Sequence, residues 1–417
     1  MISKSHRWLA ALPLLTALAV PAQAEVQPRG DAFRVNVTND FRQQNPVSAF
    51  APSGNALVVW ENDQRGIRGL FRGPNGVAIS AELTLVANLT IPNSSEGPVR
   101  TRKDPAVGFL ANGSFLLAWT EERAYLRTYP FIEERQVQDR DIFVQRFNGN
   151  GTPAGEPTRV NTFTRGFQSV PKLVVRPSGD AILVWRQESA GLTALDGING
   201  RLVNAAGQPV GPELRVSGNA SADHVAVAAS TKGFLVSWEV VVDGQSDVFG
   251  RLYDASARPV GTEFRVNPAT AGQQRWPAVA AGKDGNFLVA WQSYLTDRSI
   301  VRIHGQFVGA AGGFLGASFL ISTDEGTGQL APAIAATPQG GFLVAWLDWT
   351  DLNQLGINAV EINATGGRVG NEFWIAETKV RKNYRTSLAA NGTGGYLIPW
   401  ETNFGTRQVI AARILGQ

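Results

Sequence analysis

The sequence has no cysteine, and among its 417 residues it has one methionine and three histidines. Without cysteine the chain can form no disulfide bond, hold no iron–sulfur cluster and use no thiol as a nucleophile. An exported chain without disulfides needs a core large enough to be stable unaided, and this combination favours a bacterial origin.

Long hydrophobic runs are also missing, apart from one at the N-terminus. Lys4 and Arg7 precede an apolar run at residues 8–20, and Ala22 and Ala24 provide the small residues that a signal peptidase recognises. The run is short for a membrane span. We therefore predict a signal peptide at 1–24, export to the periplasm or the cell exterior, and no transmembrane segment in the mature chain.

Strong net charge is absent as well. The signal peptide contains one lysine, one arginine and no acid, so its removal lowers the formal charge from +3 to +1 (3 − 2). A nearly neutral chain has no electrostatic attraction to phosphate backbones. Nucleic acid is therefore not an expected partner.

The familiar catalytic motifs are missing too. The chain contains no G-x-S-x-G, H-E-x-x-H, P-loop or dinucleotide fingerprint. The two histidines after the signal peptide, His224 and His304, have no carboxylate or serine at motif spacing. We predict no catalytic residue, no metal-binding residue and no cofactor from these motifs.

What the sequence does contain is a repeat. The segment Phe287–Trp291 recurs almost unchanged as Phe342–Trp346, and similar apolar segments end at five further tryptophans, 53 to 66 residues apart: Trp60, Trp119, Trp185, Trp238 and Trp400. Both alternating sets of residues in these segments are apolar. A strand that is apolar on both sides must be covered on both faces, which favours sheets stacked face to face.

Each copy of the repeat reads as four short strands separated by Gly-, Pro-, Asn- or Asp-containing turns. Residues 31–36 resemble the fourth strand of a copy, although no first three strands precede them, and the last copy has three strands but no fourth. We therefore predict an all-β, seven-bladed β-propeller of four-stranded antiparallel blades, with strand 31–36 completing the C-terminal blade. The predicted single domain spans 25–417, with blades at about 45–87, 104–161, 170–217, 223–267, 276–322, 331–376 and 385–416 plus 31–36.

In this arrangement the variable loops lie on one face of the propeller, and function is expected there. A carboxylate follows the repeat tryptophan in six copies, and the long second-blade loop adds two aromatic residues. These residues can bind a sugar or a cation at the mouth of the channel, although a strand that simply ends in water also explains the acids, and inter-blade packing explains the tryptophans. The candidate binding residues are Glu61, Glu121, Glu188, Glu239, Asp348, Glu401, Tyr125 and Tyr129.

The chain resembles the tryptophan-ended β-propeller repeats that occur in tandem in exported bacterial proteins, some of which also carry calcium-binding repeats. The residues that carry the resemblance lie at 234–238, 250–252, 261–267 and 274–280. The resemblance implies the propeller fold and allows calcium as a cofactor. The fifth and seventh copies lack the Asp-Gly character of the loop after the tryptophan, so calcium is not expected in every copy.

Three functions remain open on these grounds. The first is a non-enzymatic scaffold that binds a protein or glycan partner through the variable face, because the sequence offers a complete scaffold without a reactive constellation. The second is a polysaccharide-active hydrolase or lyase at the channel mouth. The third is a calcium-stabilised structural component.

Overall fold

The computed structural model describes residues 25–38, 40–89, 98–129, 132–189, 195–268, 272–294, 300–323, 328–351, 354–378, 387–404 and 407–416. These residues form β-strands joined by turns and contain no α-helix, so the all-β prediction is confirmed. No helix in this part of the chain has the length and hydrophobicity needed to cross a membrane. The predicted signal peptide at 1–24 lies outside the described residues.

Five of the sheets have four antiparallel strands each. In the first of these sheets, neighbouring strands are β1 (Gln27–Arg34), β28 (Arg407–Gly416), β27 (Gly395–Phe404) and β26 (Ala389–Ala390). In the other four sheets the strands are neighbours in chain order: β2 (Gln43–Phe50), β3 (Ala56–Asn62), β4 (Gly66–Arg72) and β5 (Leu83–Ala87); β14 (Ala222–Ser230), β15 (Gly233–Val242), β16 (Gln245–Asp254) and β17 (Pro259–Arg265); β18 (Gln273–Ala281), β19 (Phe287–Tyr294), β20 (Val301–Val308) and β21 (Phe314–Leu320); and β22 (Gly328–Ala336), β23 (Phe342–Asp351), β24 (Gln354–Ile362) and β25 (Arg368–Thr378).

The sixth sheet has eight strands. They are β6 (Pro98–Phe109), β7 (Phe115–Tyr129), β8 (Ile132–Phe147), β9 (Thr158–Arg159), β10 (Phe167–Val175), β11 (Ala181–Glu188), β12 (Gly197–Val203) and β13 (Pro209–Ser217). The two groups of four, β6–β9 and β10–β13, are joined by a parallel pairing of Phe167 with Arg140. The Arg140 N–H also donates to the Gly166 carbonyl at 3.1 Å.

The prediction of seven separate four-stranded blades is therefore wrong. The described residues form a β-propeller with five separate four-stranded blades and one eight-stranded sheet. The separation fails where the start of β10 lies against β8. There the Arg140 N–H bonds to the Gly166 carbonyl and Phe167 pairs with Arg140, so the two groups of strands become one sheet.

The repeat tryptophans pack between neighbouring groups of strands, as one of the two sequence interpretations predicted. Trp60 of β3 packs with Leu397 and Ile410 of the sheet that contains β1, and all seven repeat tryptophans are at most 3% exposed. The second strands are covered on both faces; every residue of β3, for example, is buried. The Trp60 Nε1–H donates to Gln43 Oε1 at 2.7 Å, which satisfies the one polar atom of the indole.

The strand at the N-terminal side completes the sheet formed by β26–β28, as predicted. Beyond β1, the Val35 N–H donates to the Ile410 carbonyl at 2.7 Å, and the Asn36 Oδ1 accepts the Ile410 N–H at 2.8 Å. Asn267 makes the same contact after β17, where its Oδ1 accepts the Val248 N–H at 2.7 Å. The shared Val-Asn ending therefore has a physical meaning, because the asparagine side chain extends the hydrogen bonding of the outer strand by one step.

Candidate active site at the channel mouth

A central cavity of about 600 Å³ lies on the propeller axis. Seven chain segments enclose it, and all but the last belong to innermost strands: 45–48, 103–107, 169–173, 223–227, 276–279, 331–334 and 387–388. These segments are the middle parts of the innermost strands. The end of the cavity nearest the starts of these strands lies towards the variable loops. We call this opening the channel mouth.

Each of six innermost strands is bent by a β-bulge at the mouth. The register of pairing shifts there, and one residue takes a positive φ between 49° and 55°. A bulge bends the strand and redirects its side chains, a feature often found beside active sites. The bulge residues are Asn45, Asp104, Val170, His224, Trp276 and Ala331.

The bulge leaves a backbone N–H that needs an acceptor, and the neighbouring second strand provides one. In five places the acceptor is the side chain of the residue directly after the repeat tryptophan. The pairs are Glu61 Oε2 with the Asp104 N–H at 3.2 Å, Thr120 Oγ1 with Val170 at 3.2 Å, Glu239 Oε2 with Trp276 at 3.3 Å, Gln292 Oε1 with Ala331 at 2.9 Å, and Glu401 Oε1 with Asn45 at 2.7 Å.

His224 departs from this pattern because the residue after Trp185 is Arg186, which has no acceptor atom. The His224 N–H instead donates to the carboxylate of Asp223 at 2.7 Å. The Arg186 Nη1 lies 3.6 Å from that carboxylate and 2.5 Å from Glu188 Oε1. We use the word latch for the contact, described above, in which the side chain after a repeat tryptophan accepts the N–H of a bulge residue. This part of the mouth has charged side chains on its surface in place of a latch.

The imidazole of His224 lies against a buried carboxylate. Its Nδ1 is 3.1 Å from Glu239 Oε2, and the Glu239 side chain is only 1% exposed. The Arg275 Nε donates to the other oxygen, Glu239 Oε1, at 2.7 Å. On the cavity side, the imidazole stacks on the indole of Trp276 with ring centres 4.5 Å apart and planes at 26°. His224 itself is about one-third exposed and lines the cavity.

Glu239 is held in its ionised form. Burial alone would raise its pKa, but the neighbouring imidazole of His224 and the guanidinium of Arg275 outweigh burial and leave the pKa below the ordinary value. An ionised carboxylate beside Nδ1 orients the ring and stabilises an imidazolium, so Nε2 is the nitrogen available to a bound molecule. The arrangement suits a histidine that accepts and returns a proton.

Glu61 occupies the equivalent position beside other neighbours. Its Oε1 accepts from Gln44 Nε2 at 2.8 Å and its Oε2 from Asn45 Nδ2 at 3.0 Å. Burial raises the pKa of Glu61, and the negative charge of Asp104 raises it further, whereas the amide hydrogen bonds only partly oppose them. Glu61 is 2% exposed, so its direct contact with a ligand would require movement of the bulge above it.

The other predicted carboxylates are spread around the propeller. Glu121 is buried and paired with Arg102 Nη2 at 2.9 Å, and Asp348 is buried with Asn358 Nδ2 at 2.6 Å. Burial raises the pKa of Asp348. Glu401 lies 6% exposed under Asn45, and Glu188 is the most accessible of the six. The structure thus brings Glu61, Glu239 and Glu401 under the mouth. That any of them binds a ligand stays a prediction.

The two predicted aromatic residues are on a strand that extends past the mouth. The backbones of Tyr125 and Tyr129 belong to β7, but their side chains lie outside the described residues. Within the described part of the chain, no group of three or more acidic or histidine side chains is arranged to hold a metal ion. Calcium binding therefore has no identified ligands here.

The pairing of His224 with Glu239 is the feature that the sequence interpretation missed. The two residues are 15 positions apart and match no catalytic spacing, although Asp223 and Glu239 face each other across β14 and β15. Aligning the first and second strands of the copies would have placed the imidazole beside the carboxylate. The positive charge of Arg275 comes from a neighbouring sheet, which the alignment of one copy does not show.

Comparison with known proteins supports the architecture. No family model and no curated protein matches the chain. Among solved structures, a protein of unknown function from Dyadobacter fermentans is similar over 95% of this chain and all of its own, with 11% identity and a TM-score of 0.52. An ulvan lyase of polysaccharide lyase family PL25 matches 92% of this chain and 96% of its own (9% identity, TM-score 0.51). The NanB sialidase of Streptococcus pneumoniae matches 78% of this chain and 68% of its own (8% identity, TM-score 0.53).

At these identities the likeness shows the β-propeller fold alone. It nevertheless bears on the choice among the three functions. The lyase and the sialidase are both enzymes that act on glycans. This finding contradicts the first expectation, a non-enzymatic scaffold, and favours the hydrolase or lyase alternative.

Proposed function

We propose that the protein is a polysaccharide-active hydrolase or lyase, with its active site at the channel mouth and His224 as the proton-transfer group. One observation carries the proposal: a partly exposed imidazole on the cavity wall has its Nδ1 3.1 Å from a carboxylate that is almost completely buried. Such a pair is the arrangement of an oriented general base.

The chemistry follows from the pair. In hydrolysis, Nε2 of His224 takes a proton from the attacking water while its oxygen bonds to the sugar carbon, and the imidazolium returns a proton to the oxygen of the broken glycosidic bond. In elimination, Nε2 takes the proton next to a uronate carboxyl group, a carbon–carbon double bond forms, and the proton again goes to the leaving oxygen. Glu239 stabilises the imidazolium in both cases without itself becoming protonated.

Trp276 and the glycan-active neighbours support the same substrate class. The indole lines the cavity beside His224, and an aromatic face is a good surface for the C–H groups of a sugar ring. A direct role for the other predicted binding residues, and calcium as a stabilising ion, remain proposals that the chemistry above does not need.

We further propose that the protein is exported, as the N-terminal sequence and the resemblance to exported bacterial repeat proteins suggest. N-terminal sequencing of the protein purified from a bacterial host should then begin at Glu25. Retention of residues 1–24 in the purified protein would contradict export by a cleaved signal peptide.

The activity is tested with a panel based on the two neighbouring enzymes: ulvan and a sialylated oligosaccharide. Reducing ends report cleavage, and the ultraviolet absorbance of an unsaturated product distinguishes a lyase from a hydrolase. His224→Ala should lower kcat by about 100-fold or more. His304→Gln is the matched control, because His304 stacks on Trp291 and lies outside the cavity lining.

Equal activity of His224→Ala and wild type on a polymer that is turned over would reject His224 as the proton-transfer group. Turnover of no polymer in a broader glycan panel would reject the proposed class. Near-ultraviolet circular dichroism of both variants shows whether the propeller is intact, so that a loss of activity is not mistaken for a loss of fold.

A further inference from the structure

Among the described residues, strands close the wall of the central cavity on all sides. The seven segments that line it come from successive positions along the described chain, from 45–48 to 387–388, and the last sheet is joined to β1. The described strands therefore leave no lateral groove through the wall in which a polymer could lie across the cavity with chain on both sides. We infer that the enzyme acts on the ends of glycan chains, an inference that rests on the proposed function.

The size of the cavity fits an end of a chain. A volume of about 600 Å³ falls within the range of roughly 300–1,000 Å³ typical of pockets for small molecules. The mouth is polar, with Lys103, Asp104, Arg186 and Asp223 at its edge. Such a pocket accepts the terminal sugars of a chain and leaves the remainder of the polymer in solvent.

The deeper wall limits how far the chain enters. Below the bulges the cavity is lined mainly by apolar side chains, among them Val107, Leu173, Val227, Val279 and Ile334. Sugar hydroxyl groups moved against this wall would lose their water without gaining hydrogen-bond partners, which is costly. The terminal unit is therefore expected to remain at the level of the bulges, where His224 and Trp276 lie.

One side of the mouth is also raised. The second strand β7 continues ten residues beyond Trp119, whereas the other second strands continue two to five residues beyond their tryptophans (for example 62 − 60 and 351 − 346). Pairing of β6 and β8 with this extension makes it a three-stranded wall. Arg140 of β8 lines the cavity, so the wall stands at the rim of the pocket.

Trp276 is the residue that we expect to hold the terminal sugar. One face of its indole is covered by His224, so a sugar that stacks on the exposed part of the ring lies next to the proton-transfer group. Trp276→Ala should raise KM about tenfold, the size of one lost aromatic contact, and Trp276→Phe should restore most of the affinity. Trp374→Ala is the control, because Trp374 lies in β25 and is 43% exposed.

The test uses the full mature protein and whichever glycan of the ulvan and sialylated panel it turns over. Chain-end attack predicts a single short product from the first minutes, slow loss of viscosity, and a rate at equal polymer mass that rises in proportion to the number of chain ends. A ladder of intermediate lengths with an early fall in viscosity would overturn the inference and leave the proposed function standing.

Three further outcomes are informative. A rate that depends on the mass of polymer and not on the number of ends would overturn chain-end attack, whatever the effect of Trp276→Ala. Turnover of no polymer would overturn the proposed function itself and the inference with it. An unchanged KM in Trp276→Ala, with the fold intact, would remove Trp276 from the subsite.

Discussion

Glu61 and Glu239 hold the same position in two copies of the repeat, yet their pKa values are shifted in opposite directions. Both directly follow a buried tryptophan, both are at most 2% exposed, and both accept the N–H of a bulge residue in the next innermost strand. The pKa of Glu61 is raised, whereas the pKa of Glu239 is lowered. The latch is thus common to the repeat, whereas the direction of the pKa shift of its carboxylate differs between the two copies.

The neighbours explain the difference. Glu61 receives two neutral amides and lies near the carboxylate of Asp104, so little compensates for its burial. Glu239 receives the imidazole of His224 and the guanidinium of Arg275. A scaffold contact becomes part of a candidate active site where basic residues replace amides around the same carboxylate.

The largest expected effect is on activity. Glu239→Gln should lower kcat about 100-fold and leave KM nearly unchanged, because the amide can no longer stabilise an imidazolium at His224. Glu61→Gln should change kcat by less than about threefold, since Glu61 does not contact His224. Steady-state kinetics, on whichever glycan of the panel the protein turns over, measures kcat and KM of both variants. Equal losses of kcat in the two variants would show that the latch, not the charged pair, governs activity.

The next largest effect should be on stability, where the two variants are expected to differ. Glu239→Gln is expected to cost about 2 kcal/mol at neutral pH, because Arg275 loses the partner of a mostly buried ion pair and is itself one-third exposed. Glu61→Gln should cost about 1 kcal/mol, the value of a rearranged neutral hydrogen-bond network. Urea unfolding followed by the fluorescence of the buried tryptophans gives both values. A larger loss of unfolding free energy in Glu61→Gln than in Glu239→Gln would show that the ion pair of Glu239 with Arg275 is not the stronger interaction.

The pH dependence of these two costs should have opposite signs. Glu61 has a raised pKa, so its contribution to stability is complete below the ordinary value of 4.5 and is lost as the pH rises through the raised pKa. Glu239 has a lowered pKa, so its contribution is present above 4.5 and is lost as the pH falls through the lowered pKa. Unfolding of the wild type and both variants across a pH series that brackets 4.5 tests this prediction. If the loss of unfolding free energy changed with pH in the same direction in both variants, the prediction would be refuted.

The smallest expected effect concerns the bulges. Ala331 has a φ of 50°, a conformation that costs an alanine more than a glycine. Ala331→Gly should therefore stabilise the protein by about 0.5 kcal/mol, which the gain of backbone freedom in the unfolded chain keeps small. The latch from Gln292 uses only the backbone N–H and is retained. A clear destabilisation in thermal unfolding would show that the Cβ of Ala331 packs usefully in the cavity wall.

Much of the fold follows from the sequence because the repeat determines local features, namely which strands are buried on both faces and how the outer strands end. The apolar residues on both faces of Phe287–Trp291 require coverage on both sides, and Val35-Asn36 matches the ending of a fourth strand. The separation into seven blades failed at Arg140 and Phe167. Whether two backbones meet there depends on how the start of β10 lies against β8, and the turn and strand pattern of a single copy does not describe a contact between copies.

The candidate site was less accessible to sequence reasoning. The acids after the tryptophans were identified as a set, but their burial under the bulges was not, since a β-bulge leaves no clear signature at Asn45 or Ala331. The importance of His224 depends on Glu239 in the next strand and Arg275 in the next sheet. These are contacts across the repeat, whereas motif spacing describes contacts within one segment.

The joining of β1 to β28 also constrains how the protein is made. The Ile410 N–H finds its acceptor, Asn36 Oδ1, 374 residues earlier in the chain. Loop closure over such a distance carries a large entropic cost before any contact repays it. β1 therefore stays unpaired until β28 has been synthesised. The cavity that we assign to glycan ends is complete only after these two strands have paired.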